Sequence, residues 1–88
     1  MANNIDALLD EREKTHGDYA EHADVTQRLK IIMHNHDGIS QLSFMQLEAL
    51  DMIAHKIGRI LAGNPNFKDH WDDIAGYARL VSQRLPSE

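Results

Sequence analysis

The stretch from Ser43 to Gly63 constrains the fold most. Ser43 followed three residues later by Gln46 is a capping box, in which each side chain satisfies a free backbone donor at a helix start. Leu47, Leu50, Ala54, Ile57 and Leu61 then recur at spacings of three and four, the period of one helical face. Gly63 reads as the C′ residue that ends this helix, and Pro65 blocks its continuation. No segment alternates apolar and polar residues as a strand would. Three further segments carry helical period. The first runs from about Asn4 to Lys14, with Ile5, Leu8 and Leu9 on one face. The second runs from about Tyr19 to His34, with a stripe of Val25, Leu29 and Ile32 and with Met33 beside it. Asp18 is its expected N-cap, and Glu21 completes a box-like pattern. The run "HNHDGISQLS" interrupts the pattern before helix three. A fourth helix starts near Asp69 and repeats the spacing through Trp71, Ile74, Ala78, Val81 and Leu85, which places Trp71 in the core; Pro86 closes it. The expected fold is all-α: a single small domain over residues 1–88, with about four helices and an antiparallel hairpin of helices three and four. At 88 residues such a core is modest, and oligomerisation is a common remedy.

Two glycines stand inside these helices, where each costs roughly 0.5–1 kcal/mol relative to alanine. An antiparallel hairpin turning near Asn66 or Phe67 sets Gly58 level with about Gly76, so close approach of helices three and four accounts for both. On the helical wheel, however, Gly76 shares a stripe with Asp69, Asp73 and Leu80, opposite Trp71 and Ala78. It can equally admit a ligand or a helix of another subunit.

Composition excludes several classes. There is no cysteine, so disulfides and thiolate metal sites are out. The net charge of −5 disfavours non-specific nucleic-acid binding, which needs clustered Lys and Arg. No apolar run approaches the ~18 residues of a membrane span. The polar, acidic "MANNIDALLDERE" lacks a signal-peptide apolar region, so a soluble, cytoplasmic protein is expected. No P-loop, GxGxxG, HExxH or Ser-His-Asp order is present, and a nucleophilic mechanism has no visible carrier.

Four constellations carry candidate chemistry. Asp69, Asp72 and Asp73 suit a helix start, with Asp69 as N-cap; Asp69 and Asp73, one turn apart, can also hold Mg²⁺. Glu48, Asp51, His55 and Arg59 form a stripe opposite the apolar face of helix three. It reads as solvated surface, or through Glu48 and Asp51 as a carboxylate pair for a divalent ion once something covers it. Lys56 and Arg59, about one turn apart, can hold phosphate oxygens or neutralise Asp72 and Asp73. Finally His16, Gly17 and Asp18 break helix one from helix two, a good place for an anionic ligand against a helix N-terminus. His16 and His22 are also possible metal ligands with Asp73. Tyr77, or less readily Trp71, offers a base-stacking face.

The segments "EREKTHGDYAEHA", "ALDMIAHKIGRILAGN" and "DHWDDIAGYARL" together resemble a family of small phage and prophage proteins of unknown function, over about Glu11 to Leu80. Their signatures are HGDY, KIxR and DxWxDIAGYA. The chain is more distantly similar to the MazG-like all-α nucleotide pyrophosphohydrolases, and shares a "Y/H-G-D" start and a late acidic helix with phage helical domains associated with nucleotide modification. The MazG-like resemblance implies Mg²⁺ on two acidic pairs, here Glu48 with Asp51 and Asp69 with Asp73, in a dimer or tetramer. The first of those motifs is thinner in glutamate than in the enzymes. The resulting expectation is a homo-oligomeric phage-encoded protein that binds a nucleotide or a nucleotide-like phosphorylated ligand, with possible Mg²⁺-dependent hydrolysis. Sequestration of a host nucleotide signal or host protein without turnover is the second reading. A purely structural interaction module is the third.

Overall fold

The computed structural model describes residues 4–87. Four α-helices and one 3₁₀ turn are joined by short connections: α1 (Asn4–His16), α2 (Tyr19–Asn35), the turn at Asp37–Gln41, α3 (Phe44–Ala62) and α4 (Lys68–Ser82). Among the described residues there is no strand, and no helix is long and apolar enough to cross a membrane. The all-α expectation holds.

Local chemistry explains most boundaries. Asp18 caps α2 by accepting from the Glu21 backbone N–H at 3.1 Å. The Ser43 hydroxyl accepts from the Gln46 N–H at 3.1 Å, and the Gln46 side chain accepts from the Ser43 N–H at 2.9 Å, so the capping box is complete. The interruption before α3 is itself ordered: His36 Nδ1 accepts from the Gly38 N–H at 2.9 Å and starts the 3₁₀ turn. Two boundaries differ from expectation. Gly63 is the C-cap of α3 and has a negative φ, so it is not chosen for a left-handed turn. Its value is its size. A Cβ there would lie 2.6 Å from Gly17 N and 2.7 Å from Thr15 O. The N-cap of α4 is Phe67, with no side-chain cap, and Asp69 lies within the first turn, where it favours the positive end of the helix dipole instead of capping it.

The arrangement is a layer. α3 lies in the middle with α2 and α4 on either side of it, and α1 packs only at its C-terminal end. α3 and α4 form the expected antiparallel hairpin: Ala49, Leu50 and Ile53 share one groove with Ala78, Val81 and Leu85, and Lys56 meets Asp73. The glycines do not meet each other as expected. Gly58 faces α2, where an added Cβ would stand 2.4 Å from Thr26 Oγ1 and 2.7 Å from His22 Nδ1. Gly76 has nothing within 4 Å of the place a Cβ would occupy. Close approach of α3 to α4 therefore does not explain it. Gly76→Ala is expected to raise stability by roughly 0.5–1 kcal/mol, because the helix gains propensity with no clash. Urea denaturation checks this; a loss of stability would mean that another helix covers Gly76 in solution.

The α3 polar stripe is also not plain solvated surface. α2 covers part of it: His34 Nε2 donates to Asp51 Oδ1 at 2.9 Å, and the His22 and His55 rings lie 5.7 Å apart. Glu48 of that stripe stays exposed, and so do Leu50 and Leu61 of the apolar one. Among the described residues only Ala49 and Ala54 are buried apolar side chains, while His22, Thr26 and His70 are buried polar ones. Trp71, expected in the core, is 54% exposed and donates its indole N–H to Pro65 O at 2.7 Å. The molecule is correspondingly long, 57 × 26 × 23 Å, with a radius of gyration of 15.5 Å. A compact domain of this length has about 12 Å.

Candidate functional site

The site lies where the α1–α2 turn crosses the end of α3. Gly17 makes the turn with φ +78°, a region L side chains rarely adopt. This lets the chain reverse in two residues and pass against Ala62 and Gly63, where Asn64 N–H donates to Thr15 O at 3.2 Å. The same Thr15 carbonyl accepts from His70 Nε2 at 3.0 Å, so His70 of α4 pins the turn from the other side. His16 is fixed between its neighbours. Thr15 Oγ1 lies 2.6 Å from its Nδ1, the His70 ring meets it edge-on at 4.8 Å, and Phe67 stands at 5.7 Å. The cross-over is thus an aromatic and histidine knot on a shared carbonyl.

Beside the knot opens a hollow of about 390 Å³, lined by Leu9, Arg12, Glu13 and His16 of α1, by Gly17, Asp18 and Tyr19 of the turn and α2, and by Arg59 of α3. A volume of this order suits a small ligand. Arg59 reaches into it half-buried, with no carboxylate within 4.0 Å among the described residues. Burial and then the neighbouring Arg12 guanidinium lower its pKa from the ordinary value. The histidines near it are shifted by burial first and by its positive charge after that. Burial, then Arg59 and His70, lower the His16 pKa. Burial, then Arg59 and His55, push the His22 pKa down to about 4. Burial, then Lys30 and Arg59, lower His55, against the opposing pull of Asp51 and Glu48. All three imidazoles are accordingly biased to the neutral form, and the Arg59 guanidinium shares the hollow with Glu13 and Asp18 without pairing to either within 4.0 Å.

The structure gathers some of the expected site residues and separates others. His16, Gly17, Asp18 and Arg59 share the hollow. Lys56 does not join Arg59: its Nζ lies 2.8 Å from Asp73, on the α4 side of α3. That ion pair holds the Asp73 carboxyl below its ordinary pKa. Neutralisation of an aspartate, the alternative reading of Lys56, is the one seen. Asp72 pairs with Lys68. Tyr77 stands apart from the arginine hollow, half-buried beside Gly76, Asp72 and Asp73 on α4. Of the metal candidates, Asp51 faces His34 and Glu48 is exposed on α3, while Asp69 and Asp73 are exposed on α4. Among the described residues, no three His, Asp or Glu side chains converge to hold a metal ion, and His16, His22 and Asp73 form no such group.

Arg12, Glu13 and Tyr19 belong to the hollow without having been singled out as ligands of it. One signal was available. Leu9, Arg12, Glu13 and His16 recur at spacings of three and one, then three, on one side of α1, so His16 pointed at Arg12 one turn away. No curated protein and no solved structure matches this chain. A family model does match, over residues 1–85, nearly the whole length, and the chain belongs to the family described as a domain of unknown function (DUF6378).

Proposed function

We propose that this protein binds a phosphorylated small molecule, nucleotide-like in kind, in the hollow at the α1–α2 turn. The observation that carries the reading is Arg59: half-buried, without a carboxylate within 4.0 Å among the described residues, and sharing its hollow with Arg12 and with His16, whose imidazole is biased to the neutral form. A half-buried guanidinium with an exposed second one beside it favours an anion that can satisfy planar N–H forks, and phosphate oxygens do so bidentately. Gly17 leaves backbone accessible at the hollow, and Tyr19, exposed on its rim, offers a ring for a base or another flat group. The resemblance to phage helical proteins, and distantly to MazG-like pyrophosphohydrolases, is the ground for choosing a nucleotide among phosphorylated anions. It also makes a phage or prophage gene the proposed source.

Binding without turnover is the form of the reading that the geometry supports. Mg²⁺-assisted hydrolysis would direct a metal-activated water at a phosphoanhydride. Of the acids proposed for the metal, Asp51 stands about 12 Å along α3 from Arg59, and Asp69 and Asp73 belong to α4. The carboxylates that line the hollow are Glu13 and Asp18, and Asp18 is engaged as the α2 cap.

Differential scanning fluorimetry with phosphate, pyrophosphate and nucleoside mono-, di- and triphosphates, with and without Mg²⁺, tests the proposal. At least one polyphosphate is expected to raise Tm. Arg59→Gln, which keeps length and hydrogen-bonding capacity but removes the charge, is expected to weaken that ligand by roughly 10–100-fold, from a lost charge-assisted bond of about 1.5–3 kcal/mol. Absence of any shift, or an unchanged affinity in Arg59→Gln, would sink the reading. Ligand recovered intact after incubation supports binding alone; a cleaved product restores the hydrolase.

A further inference from the structure

The three apolar stripes of α2, α3 and α4 emerge on the same side of the layer. At 100° per residue, the line through Leu50 and Leu61 of α3 points out between the directions in which α3 meets its two neighbours. Leu50 lines one groove with Ala78 and Val81 of α4 and with Leu85 just beyond it, which fixes the α4 stripe to that side. The α2 stripe ends on the same side at Ile32. These stripes contain no Asp, Glu, Lys or Arg. Yet the described residues leave much of this face open: Ala54 is buried and Leu47 and Ile57 are half-buried, but Ile32 is 70% exposed, Leu61 67% and Leu85 48%.

We propose that a second copy of this chain packs on this face, so that two three-helix layers close a common apolar core. Area argues for it. The chain exposes 6678 Å², whereas a folded monomer of 10.0 kDa exposes about 5,200 Å². The excess of roughly 1,400 Å² per chain is shared between this face and the projecting α1, none of whose residues is buried, and it leaves room for the ≈ 800 Å² that each partner contributes to a standard stable interface. The shortage of core argues for it independently. With two buried apolar side chains among the described residues, the folded layer requires its partner whenever it exists, and another copy of the same chain is the partner always present with it. A lipid surface is the poorer occupant. Membrane-binding faces are rimmed with Lys and Arg to meet anionic headgroups, and this chain carries −5. The proposal does not rest on the ligand reading, because Arg59 projects from another side of α3, towards α1 and the start of α2.

Light scattering coupled to size exclusion at micromolar concentration is expected to give twice the 10.0 kDa mass of one chain. Leu61→Glu is expected to weaken association at least tenfold. Because such a variant also weakens the layer itself, the decisive measurement uses intact packing. The chain has no cysteine, so single cysteines can be placed in Ala78→Cys, on the proposed face, and Leu80→Cys, on the opposite flank of α4 beside Gly76. A short bis-maleimide is expected to join Ala78→Cys chains into a covalent dimer and to leave Leu80→Cys chains single. A monomeric mass overturns the proposal, and so does cross-linking through Leu80→Cys alone. So does a monomer that binds phosphatidylcholine vesicles and loses that binding in Leu61→Glu, which would make the face a lipid surface.

Discussion

Gly17→Ala is expected to be the most damaging single substitution in the chain, lowering stability by about 3 kcal/mol or more. Two penalties coincide at this position. The backbone has φ +78°, where any Cβ is strained. The Cβ itself would stand 2.1 Å from Ala62 O and 2.6 Å from Gly63 N. Both are backbone atoms at the end of α3, so no side chain can rotate away, and the α1–α2 turn must lift as a unit. Lifting it breaks the bonds that converge on Thr15 O, from Asn64 N–H at 3.2 Å and from His70 Nε2 at 3.0 Å. His70 is buried, and a buried imidazole stripped of its acceptor adds a desolvation cost. The hollow opens with the turn, because Gly17 is part of its wall. Urea denaturation monitored by circular dichroism measures the effect. Gly76→Ala is the matched control: the same exchange at a helix-interior glycine with open space is expected to stabilise. A Gly17→Ala variant within about 0.5 kcal/mol of the wild type would contradict the crossing geometry, since that is the range of an uninvolved surface position.

Features that depend on residues three or four apart were legible in the sequence. The Ser43–Gln46 box and the Asp18 cap are local hydrogen bonds between side chain and backbone, and they form wherever the residues occur in that order. The same holds for the direction of each apolar stripe. What faces a stripe is a long-range property, and there the expectations failed. Leu47 to Leu61 reads as an inward face because apolar residues ordinarily meet their own chain, yet the neighbours of α3 sit at its sides. Glu48 to Arg59 reads as a surface because it is polar, yet α2 lays His22, Thr26 and His34 near it. Gly58 was recognised as a site of close approach but assigned to α4, because the hairpin register gives the height of a residue and not which helix it faces. Asp69 was a plausible cap, but Asn64 and Phe67 close the turn before it: Phe67 N–H donates to Asn64 O at 3.2 Å. Of the site, the His16–Gly17–Asp18 turn was visible because glycine and a cap residue mark a helix break. The juxtaposition of Arg12 with Arg59 was not. Each is an ordinary helix-surface arginine in the sequence, and only the crossing of α1 over the end of α3 brings them to one hollow.

Acid lability is expected to be the second large effect, and its sign follows from His22. Its ring is buried against α3, with Thr26 Oγ1 3.4 Å from Nδ1. Burial first, and then Arg59, His55 and Lys56 from α3 and His16 from α1, oppose its protonation, so the folded pKa falls to about 4 from 6.5. Between these values the unfolded chain binds a proton that the folded chain refuses. Stability is therefore flat above the unfolded pKa of 6.5 and falls as pH drops below it, until the folded ring also titrates near 4. At about 1.4 kcal/mol per unit, this one group costs about 2 kcal/mol between pH 6.5 and 5. His16 and His55, lowered for the same reason, add in the same direction. The urea midpoint is expected to be constant from pH 8 to 7 and to fall steeply towards pH 5, and His22→Gln is expected to flatten the slope. An equal midpoint at pH 7.5 and 5 would mean that the histidines are not held neutral. The same experiment bears on the ligand. An anion bound at Arg59 offsets one of the charges that, after burial, suppress these rings, and so raises their folded pKa values part of the way towards 6.5; a saturating polyphosphate is expected to make the acid slope shallower as well as to raise the midpoint. A ligand that raised the midpoint equally at every pH would be bound somewhere other than the hollow beside Arg59 and His16.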